Sequence, residues 1–297
     1  MEVVKITPRG YCYGVVDAIT LAKRVAKDPN LPRPIVVLGQ IVHNRHVVDE
    51  LAELGILTVE GAKSRLELLD EVPPGATLIF TAHGISPQVV AEARRRGFHV
   101  VDATCPDVAK THRLIAEKIA AGYSVIYIGQ PGHPEPEGAM GEAPPERIRL
   151  VSRPEDVDRL DFAPDLPLVV TTQTTLSQWD TQAVVEAILR RYPKAEVYNE
   201  ICRATQDRQE AAVRFARDVD LVVVVGDPRS NNTNRLVEVV QTVAKKPAVR
   251  VERAEDLNPA WFVGVRRVGV TAGSSTPTHV TRAVIARLEA MRPEEAS

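Results

Sequence analysis

The sequence predicts an α/β fold of three small α/β units with mainly parallel sheets in a pseudo-threefold arrangement. Short β-branched runs alternate with amphipathic stretches along the whole chain. Near-continuous apolar strands separated by helices are typical of parallel sheets that are covered on both faces. The chain has 297 residues, more than a single core of roughly 100 to 200 residues requires. A local pattern that occurs three times therefore favours three units.

The repeated pattern begins at each of the three cysteines of the chain. Cys105 follows Cys12 by 93 residues, and Cys202 follows Cys105 by 97. Each cysteine precedes a stretch with apolar residues at helical spacing, so each is expected near a helix N-terminus. An apolar strand that ends in glycine comes next, and a second strand then runs into a polar turn. The glycines are Gly39, Gly129 and Gly226, and the turns begin at Thr81, Thr172 and Thr271.

The boundaries between the units are predicted where a strand leads to the next cysteine. This gives units 1–100, 101–197 and 198–297, the last with a C-terminal helix. Each unit then contributes one thiol and one polar turn.

Hydroxyl residues mark further helix starts. Helices are expected after Ser86, Ser177 and Thr276, because hydroxyl side chains at these places are N-cap signals. Such starts leave backbone N–H groups for an anion. The Pro- and Gly-rich stretch from Pro131 is predicted to be a loop.

Composition excludes several classes of protein. The formal net charge of −2 gives no electrostatic reason to expect nucleic acid as a partner. No run of about 18 apolar residues could span a membrane, and the N-terminus lacks the basic start and apolar core of a signal peptide. Three widely separated cysteines fit poorly with a secreted disulfide framework. We therefore expect a cytoplasmic protein with reduced thiols.

Three thiols at equivalent positions would converge if the units pack about one axis. A single cysteine is usually a small buried hydrophobe, but converging thiols near helix N-termini would bind a soft metal centre. Structural zinc normally has four ligands and local C-x-x-C pairs, which this sequence lacks, so zinc stays an alternative. A 4Fe-4S cluster normally takes four cysteines, and three would leave one iron open to substrate. The predicted units would then surround a central metal cluster.

Polar side chains follow the strand ends at which open α/β sheets bind ligands. His43, His83 and His133 come after strands of the first two units. Neutral donors and imidazoles beside helix starts suit a phosphate or diphosphate, although turn formation alone also explains such residues. Glu135 is the one carboxylate in this set, and a lone acid near a redox metal is a natural proton donor. The third unit offers Ser230, Asn231, Asn232 and Ser275 at the corresponding places.

Nine motifs occur in a fixed order between Arg9 and Pro277. They are RGYCYGVVDAI, GQIVHN, TAHG, DATCP, GHPEPEG, TQTTLS, EICRAT, NRLVE and TAGSSTP. This set resembles that of the LytB or IspH family, the 4-hydroxy-3-methylbut-2-enyl diphosphate reductases. The resemblance implies reductive removal of the allylic hydroxyl of (E)-4-hydroxy-3-methylbut-2-enyl diphosphate. The products would be isopentenyl and dimethylallyl diphosphate, in the last step of the methylerythritol phosphate route to isoprenoids.

The resemblance also implies a cofactor and a partner. The family uses a 4Fe-4S cluster held by three cysteines, which here would be Cys12, Cys105 and Cys202. Electrons would come from a donor such as ferredoxin or flavodoxin.

Roles for individual side chains follow from the same resemblance. Glu135 would donate a proton with His133 nearby, and Thr174 with Gln173 would complete a relay to the substrate hydroxyl. The diphosphate-binding residues would be His43, His83, His133, Ser230, Asn231, Asn232 and Ser275.

Two segments depart from the family pattern. Tyr11 and Tyr13 flank Cys12 where many relatives have Phe and Ala, which could alter packing against a cluster. The sequence GDPRSNNTN replaces the commoner GSKNSSNSN, which leaves open which side chains of this segment contact phosphate.

Two other classes of protein compete with the reductase. One is a non-redox diphosphate-binding module whose thiols hold structural zinc. The other is an enzyme of phosphoryl or prenyl transfer, which would require carboxylates for Mg²⁺, and the polar turns contain no paired-Asp motif.

Overall fold

The computed structural model describes residues 1–291, which form three parallel four-stranded sheets, so the predicted α/β class is confirmed. The strands are β1 (Glu2–Lys5), β2 (Ile35–Leu38), β3 (Ile56–Val59), β4 (Thr77–Phe80), β5 (His99–Asp102), β6 (Ser124–Ile128), β7 (Ile148–Val151), β8 (Leu168–Thr172), β9 (Glu196–Tyr198), β10 (Leu221–Val225), β11 (Ala248–Val251) and β12 (Arg267–Ala272). The helices are α1 (Tyr13–Lys27), α2 (Arg45–Glu53), α3 (Arg65–Leu68), α4 (Pro87–Arg95), α5 (Pro106–Ala120), α6 (Pro134–Met140), α7 (Gln178–Arg191), α8 (Arg203–Ala216), α9 (Asn231–Thr242) and α10 (Thr278–Ala290). Among these described residues, no helix is long and apolar enough to cross a bilayer.

The three sheets share one strand order, which is the structural form of the sequence repeat. The orders are β3-β2-β4-β5, β7-β6-β8-β9 and β11-β10-β12-β1. In each sheet, the strand that ends before a glycine pairs with the next two strands of the chain. A fourth strand forms the edge of each sheet. This edge strand is β5 in the first sheet, β9 in the second and β1 in the third.

The strand that leads to each cysteine pairs with the preceding sheet. β5 lies beside β4 and β9 lies beside β8, while β1 lies beside β12. α4 and α7 are the crossover helices that return the chain to the same sheet in parallel. The unit limits at residues 100 and 197 thus fall inside β5 and β9, and the domain division stays a prediction.

By internal packing the chain falls into two parts. Part I comprises Met1–Tyr13, His43–His46 and the chain from Cys202 onward, and it contains the sheet β11-β10-β12-β1. Part II comprises Gly14–Val42 and Val47–Ile201, and it contains the other two sheets.

Buried, largely apolar strands form the centre of each sheet. In β10 every side chain is buried, with Val223 and Val225 in one apolar cluster and Val222 and Val224 in another. Because helices cover both faces, the strand requires apolar residues at successive positions. This is why the run LVVVV could be recognised as a strand without any alternation.

The helix starts follow the sequence signals closely. Ser86 and Ser177 are N-cap residues whose side chains accept backbone N–H groups. The third predicted start differs, because the N-cap of α10 is Pro277 and makes no side-chain cap bond. The hydroxyl of Thr276 instead donates to Val225 O at 3.0 Å.

The prediction of a loop after Pro131 was wrong, because α6 forms within this stretch. His133 is the N-cap, and Pro134 and Pro136 occupy the first turn, where helical N–H groups have no intrahelical partner in any case. Gly138 is required inside the helix, since a Cβ there would lie 3.1 Å from Ile85 N. The Pro- and Gly-rich composition therefore led to the prediction of a loop where a short helix with two prolines in its first turn forms.

Candidate active site

Part I holds two of the three cysteines, each at the start of a helix as predicted. Cys12 directly precedes α1, and its N–H donates to Ser274 O at 3.1 Å. Cys202 is the N-cap residue of α8, and its Sγ lies 3.2 Å from Thr205 Oγ1. Both are half-buried, and no disulfide joins cysteines within residues 1–291.

Asn232 connects the two cysteine segments of part I. Its Oδ1 accepts from Ser274 N–H at 2.8 Å, and its Nδ2 donates to Thr205 Oγ1 at 3.3 Å. Thr205 Oγ1 therefore accepts both from the amide of Asn232 and from the thiol of Cys202. A predicted anion-binding residue is thus also the link between two predicted metal ligands.

The remaining predicted residues of part I lie around the start of α9. Ser230 is the N-cap residue, and its Oγ accepts from Thr233 N–H at 3.3 Å. Asn231 follows in the first turn and is buried. Ser275 Oγ lies 3.4 Å from Ser230 Oγ and donates to His43 O at 2.9 Å. The backbone of His43 is therefore fixed to the polar turn after β12.

Asp227 holds the same histidine segment from another side. Its buried carboxylate accepts from Arg45 N–H at 2.9 Å and from Arg229 N–H at 2.8 Å, and it forms an ion pair with Arg229. Burial acts to raise the pKa of Asp227, but the hydrogen bonds from Arg229 outweigh burial and hold the pKa below its usual range. Sequence reasoning did not single out Asp227, although the departure GDPR in the third unit was the available signal.

Cys105 lies in part II at the N-cap of α5. Its N–H donates to Ala82 O at 3.1 Å, which places it at the end of the β4 segment. Gly14 packs directly against its thiol, because a Cβ on Gly14 would lie 2.4 Å from Cys105 Sγ. Only glycine fits at this position, two residues after Cys12 in the sequence.

His83 and His133 form a pair of imidazoles in part II. Their ring centroids are 5.5 Å apart with an edge-to-face orientation. Glu135 N–H donates to His133 Nδ1 at 3.1 Å, so a neutral His133 carries its proton on Nε2. A hydrogen bond of 3.2 Å likewise joins His83 Nδ1 to Thr81 Oγ1, which accepts from the purely donating guanidinium of Arg65. The bond from Glu135 N–H therefore assigns Nε2–H, a donor suited to phosphate oxygens, to the neutral ring of His133, whereas the Thr81 hydroxyl can either donate to His83 Nδ1 or accept from it.

Arg65 was not predicted as a site residue. Its guanidinium is buried and contacts Thr81 Oγ1 at 3.5 Å and Gly84 O at 3.4 Å, and a Cβ on Gly39 would lie 3.2 Å from its Nη2. Burial lowers the pKa of Arg65, and the nearby charge of Glu137 acts in the opposite direction. A lone arginine in a charged stretch gave no sequence signal of this burial.

Glu135 is the buried acid of part II. Its side chain is 2% exposed, with Oε1 accepting from Thr174 N–H at 2.7 Å and Oε2 accepting from Thr174 Oγ1–H at 3.1 Å. Burial raises the pKa of Glu135 to about 7, although the two bonds from Thr174 act to lower it. The carboxyl is therefore shielded from water, and it can hold or release a proton near neutral pH.

Two neighbours complete the surroundings of this acid. Gln173 is fully buried, and its Oε1 accepts from Gln130 N–H at 2.9 Å while its Nε2 donates to Thr175 Oγ1 at 3.2 Å. Tyr127 has a fully buried hydroxyl with no hydrogen-bond partner among the described residues, and burial together with the charge of Glu135 raises its pKa. The apolar pattern of β6 gave no reason to single out Tyr127.

The predicted site residues thus occur in two connected sets. The set in part I joins two cysteines to the polar start of α9 and to the backbone of His43. The set in part II joins the imidazole pair to the acid on α6 through the His133 cap.

Comparisons with known proteins agree along almost the whole chain. A family model described as LytB protein matches residues 3–289. The 4-hydroxy-3-methylbut-2-enyl diphosphate reductase of Symbiobacterium thermophilum is 62% identical over 289 residues, which are 97% of this chain and 97% of the relative. The reductase of the same name from Halalkalibacterium halodurans is 54% identical and covers 99% of this chain and 93% of its own length.

Solved structures give the same result. The structure of E-1-hydroxy-2-methyl-but-2-enyl-4-diphosphate reductase from Plasmodium falciparum superposes with a TM-score of 0.91 at 34% identity, over 99% of this chain and 89% of that chain. A structure of (E)-4-hydroxy-3-methyl-but-2-enyl diphosphate reductase, described as the terminal enzyme of the non-mevalonate pathway, superposes with a TM-score of 0.68 at 32% identity, over 98% and 100%.

The parallel α/β fold, the buried acid and the named relatives together define an enzyme, an oxidoreductase. The chain belongs to the LytB family, and the resemblance seen in its motifs is confirmed.

Proposed function

We propose that this protein converts (E)-4-hydroxy-3-methylbut-2-enyl diphosphate and reducing equivalents to isopentenyl and dimethylallyl diphosphate. The allylic C–O bond breaks and a C–H bond forms. One proton leaves with the hydroxyl as water, the second is added to an allylic carbon, and two electrons enter from a reductant. The named relatives support this reductase over a non-redox binding module.

The observation that supports the proposal most strongly is the Glu135–Thr174 pair. A carboxyl that is 2% exposed, with a pKa of about 7, retains a proton near neutrality until a leaving oxygen takes it. Its place in the first turn of α6, directly after the His133 cap, puts the acid beside an imidazole that would bind the diphosphate. Thr174 orients the carboxyl, and Gln173 holds the adjoining backbone in place.

Cys12, Cys105 and Cys202 would hold the metal centre. All three are half-buried at helix starts, and none is in a disulfide. Sulfur donors suit iron, and the glycine opposite Cys105 leaves room for its thiol. When bound, a 4Fe-4S cluster with three protein ligands supplies one-electron transfers and a Lewis-acidic iron for the substrate oxygen.

Neutral donors would bind the diphosphate. His133 offers an Nε2–H group, His83 provides a second imidazole, and the start of α9 adds backbone N–H groups. No net positive charge is required, because donors aimed at phosphate oxygens form charge-assisted hydrogen bonds. The complete proposed set is His43, His83, His133, Thr174, Gln173, Ser230, Asn231, Asn232 and Ser275.

Anaerobic purification followed by turnover tests this function. The protein is expected to be brown, to hold about four irons per chain, and to convert the allylic diphosphate to both products with dithionite as reductant. Ferredoxin or flavodoxin should replace dithionite. A colourless zinc protein that binds the diphosphate without turnover would establish the binding module instead, and turnover that requires Mg²⁺ and no reductant would establish a transferase.

Gly14→Ala tests the role of Cys105 without changing any thiol. The added Cβ would lie 2.4 Å from Cys105 Sγ, so the sulfur has to move and the iron content should fall severalfold. Gly61→Ala is the matched control, since a Cβ there meets only Leu68 Cδ2 at 3.8 Å. Cys202→Ser should also lower iron, and full iron in either variant would contradict the three-ligand set.

A further inference from the structure

Arg208 is a buried cation in the middle of α8, on the helix that begins after Cys202. Its side chain is 5% exposed. Nη2 donates to Gly10 O at 2.7 Å and to Tyr11 O at 3.2 Å, and Nη1 donates to Ala204 O at 2.7 Å. The guanidinium therefore fastens the segment immediately before Cys12 to the helix of Cys202.

None of these hydrogen bonds goes to a carboxylate. Asp207, the adjacent acid, forms its ion pair with Arg203 at 2.7 Å. Within residues 1–291, Nε–H of Arg208 is buried and has no hydrogen-bond partner. A guanidinium stays charged at all accessible pH values, so a positive charge with no carboxylate hydrogen-bonded to it is buried here.

The groups that favour this charge most are the two cysteines. Burial lowers the pKa of Arg208, while Cys12, then Cys202 and then Asp207 act to raise it. Backbone carbonyls could be satisfied by a neutral donor at much smaller cost, so the hydrogen bonds alone do not explain an arginine. A negatively charged centre bound by these two cysteines would compensate the cation.

We propose that Arg208 positions the metal centre by clamping the Cys12 segment to the helix of Cys202. We propose further that its permanent positive charge, placed beside both cysteines, raises the reduction potential of that centre. This inference rests on the proposed function, because it requires that the two cysteines bind a cluster. Arg208 is a positioning residue and makes no contact with substrate.

The charge has a direct redox consequence. One-electron reduction makes a cluster more negative by one unit, and a buried cation stabilises the reduced form more than the oxidised form. Removing the cation should therefore lower the reduction potential. A side chain that keeps the positive charge but lacks the hydrogen bonds of the guanidinium should instead loosen the Cys12 segment and leave the reduction potential nearly unchanged.

Arg208→Gln and Arg208→Lys separate these effects in the anaerobically reconstituted full chain. Dithionite titration followed by electron paramagnetic resonance should show the equilibrium constant for reduction about tenfold lower in Arg208→Gln, a shift of about 59 mV for one electron. Arg208→Lys should keep the wild-type potential but lose iron faster to a chelator. Arg217→Gln, at an exposed position after the same helix, removes the same charge and should change neither quantity.

Each outcome decides the inference. A wild-type potential in Arg208→Gln overturns the charge role, and wild-type iron retention in Arg208→Lys overturns the clamp. If Arg208→Gln does not retain a cluster, Arg208→Lys tests the role of the charge. A reduction potential below that of wild type in Arg208→Lys, or a loss of iron equal to that in Arg208→Gln, would contradict this role. Wild-type protein that forms no cluster refutes the proposed function itself, which distinguishes the two failures.

Discussion

The starts of α6 and α9 occupy equivalent places in the repeat but differ in chemistry. Each helix follows a central strand and a glycine, Gly129 or Gly226, and the second helical residue is Glu135 in one and Asn232 in the other. In each case the side chain accepts from a backbone N–H that lies two residues after the end of the neighbouring strand, which is β8 or β12. Thr174 N–H donates to Glu135 at 2.7 Å, and Ser274 N–H donates to Asn232 at 2.8 Å.

One scaffold therefore holds either an acid or an amide in the same hydrogen bond. The amide of Asn232 cannot titrate, and it connects the two cysteine segments at any pH. The acid of Glu135 has a pKa raised by burial to about 7. Under the proposed function, this difference would place pH-dependent chemistry in part II and a pH-independent framework in part I.

Glu135→Gln removes this difference and should have the largest effect. The amide keeps the bond from Thr174 N–H but has no proton to donate, so turnover should fall roughly 10²-fold or more. Substrate affinity and iron content should stay near wild type. Steady-state turnover with dithionite, together with iron analysis of the same sample, makes the measurement.

Glu137→Gln is the matched control. It makes the same change from carboxyl to amide two residues away on α6, at an exposed position where the amide oxygen can still accept from Arg65 N–H, and it should keep most of the turnover.

The pH dependence of the free energy of unfolding is an independent test of Glu135. Since the folded pKa of Glu135 is about 7 and the ordinary value is 4.5, stability from this group is present below pH 4.5 and lost as the pH rises to about 7. Glu135→Gln should flatten that slope, and equal turnover of variant and wild type would remove Glu135 as the donor.

The Ser230 variants test the other side of the comparison. Ser230→Ala loses the N-cap bond to Thr233 N–H, which should cost about 1 kcal/mol of stability, and it should raise KM about tenfold through loss of a phosphate contact. Ser230→Asp keeps an N-cap acceptor and so regains stability, but it repels the diphosphate and should raise KM further. Wild-type KM in Ser230→Asp would show that this hydroxyl does not contact the substrate.

The sequence predicted most of the framework but not the contacts between its segments. Strand runs, cysteines at helix starts and three parallel sheets followed from local patterns. The register of the strands did not follow from such patterns. Thr81, Thr172 and Thr271 were predicted to be equivalent, but the residues that pair with the last residue of β2, β6 and β10 are Phe80, Thr172 and Ala272. A residue type and its spacing cannot fix a register that depends on pairing across the sheet.

Buried arginines were missed for a related reason. Arg65 and Arg208 lie in segments with many charged residues, and a solvated face is the ordinary expectation for such stretches. Their partners are carbonyls and hydroxyls far away in sequence, such as Gly10 O for Arg208. Only the folded chain brings these groups together, so no local motif marks them.

Thr174→Val should give the smallest effect and tests how the acid is tuned. The Thr174 hydroxyl donates to Glu135 Oε2 and acts to lower the pKa, so its loss should raise that pKa by about half a unit to one unit. The proton donor must be protonated to act, so turnover falls as the pH rises through this pKa, and in Thr174→Val that fall should move to higher pH. Thr174→Ser keeps the hydroxyl and should follow the wild-type profile. A fall at the same pH in all three proteins would mean that the hydroxyl does not set the acid's pKa, and the pH dependence would then belong to another group.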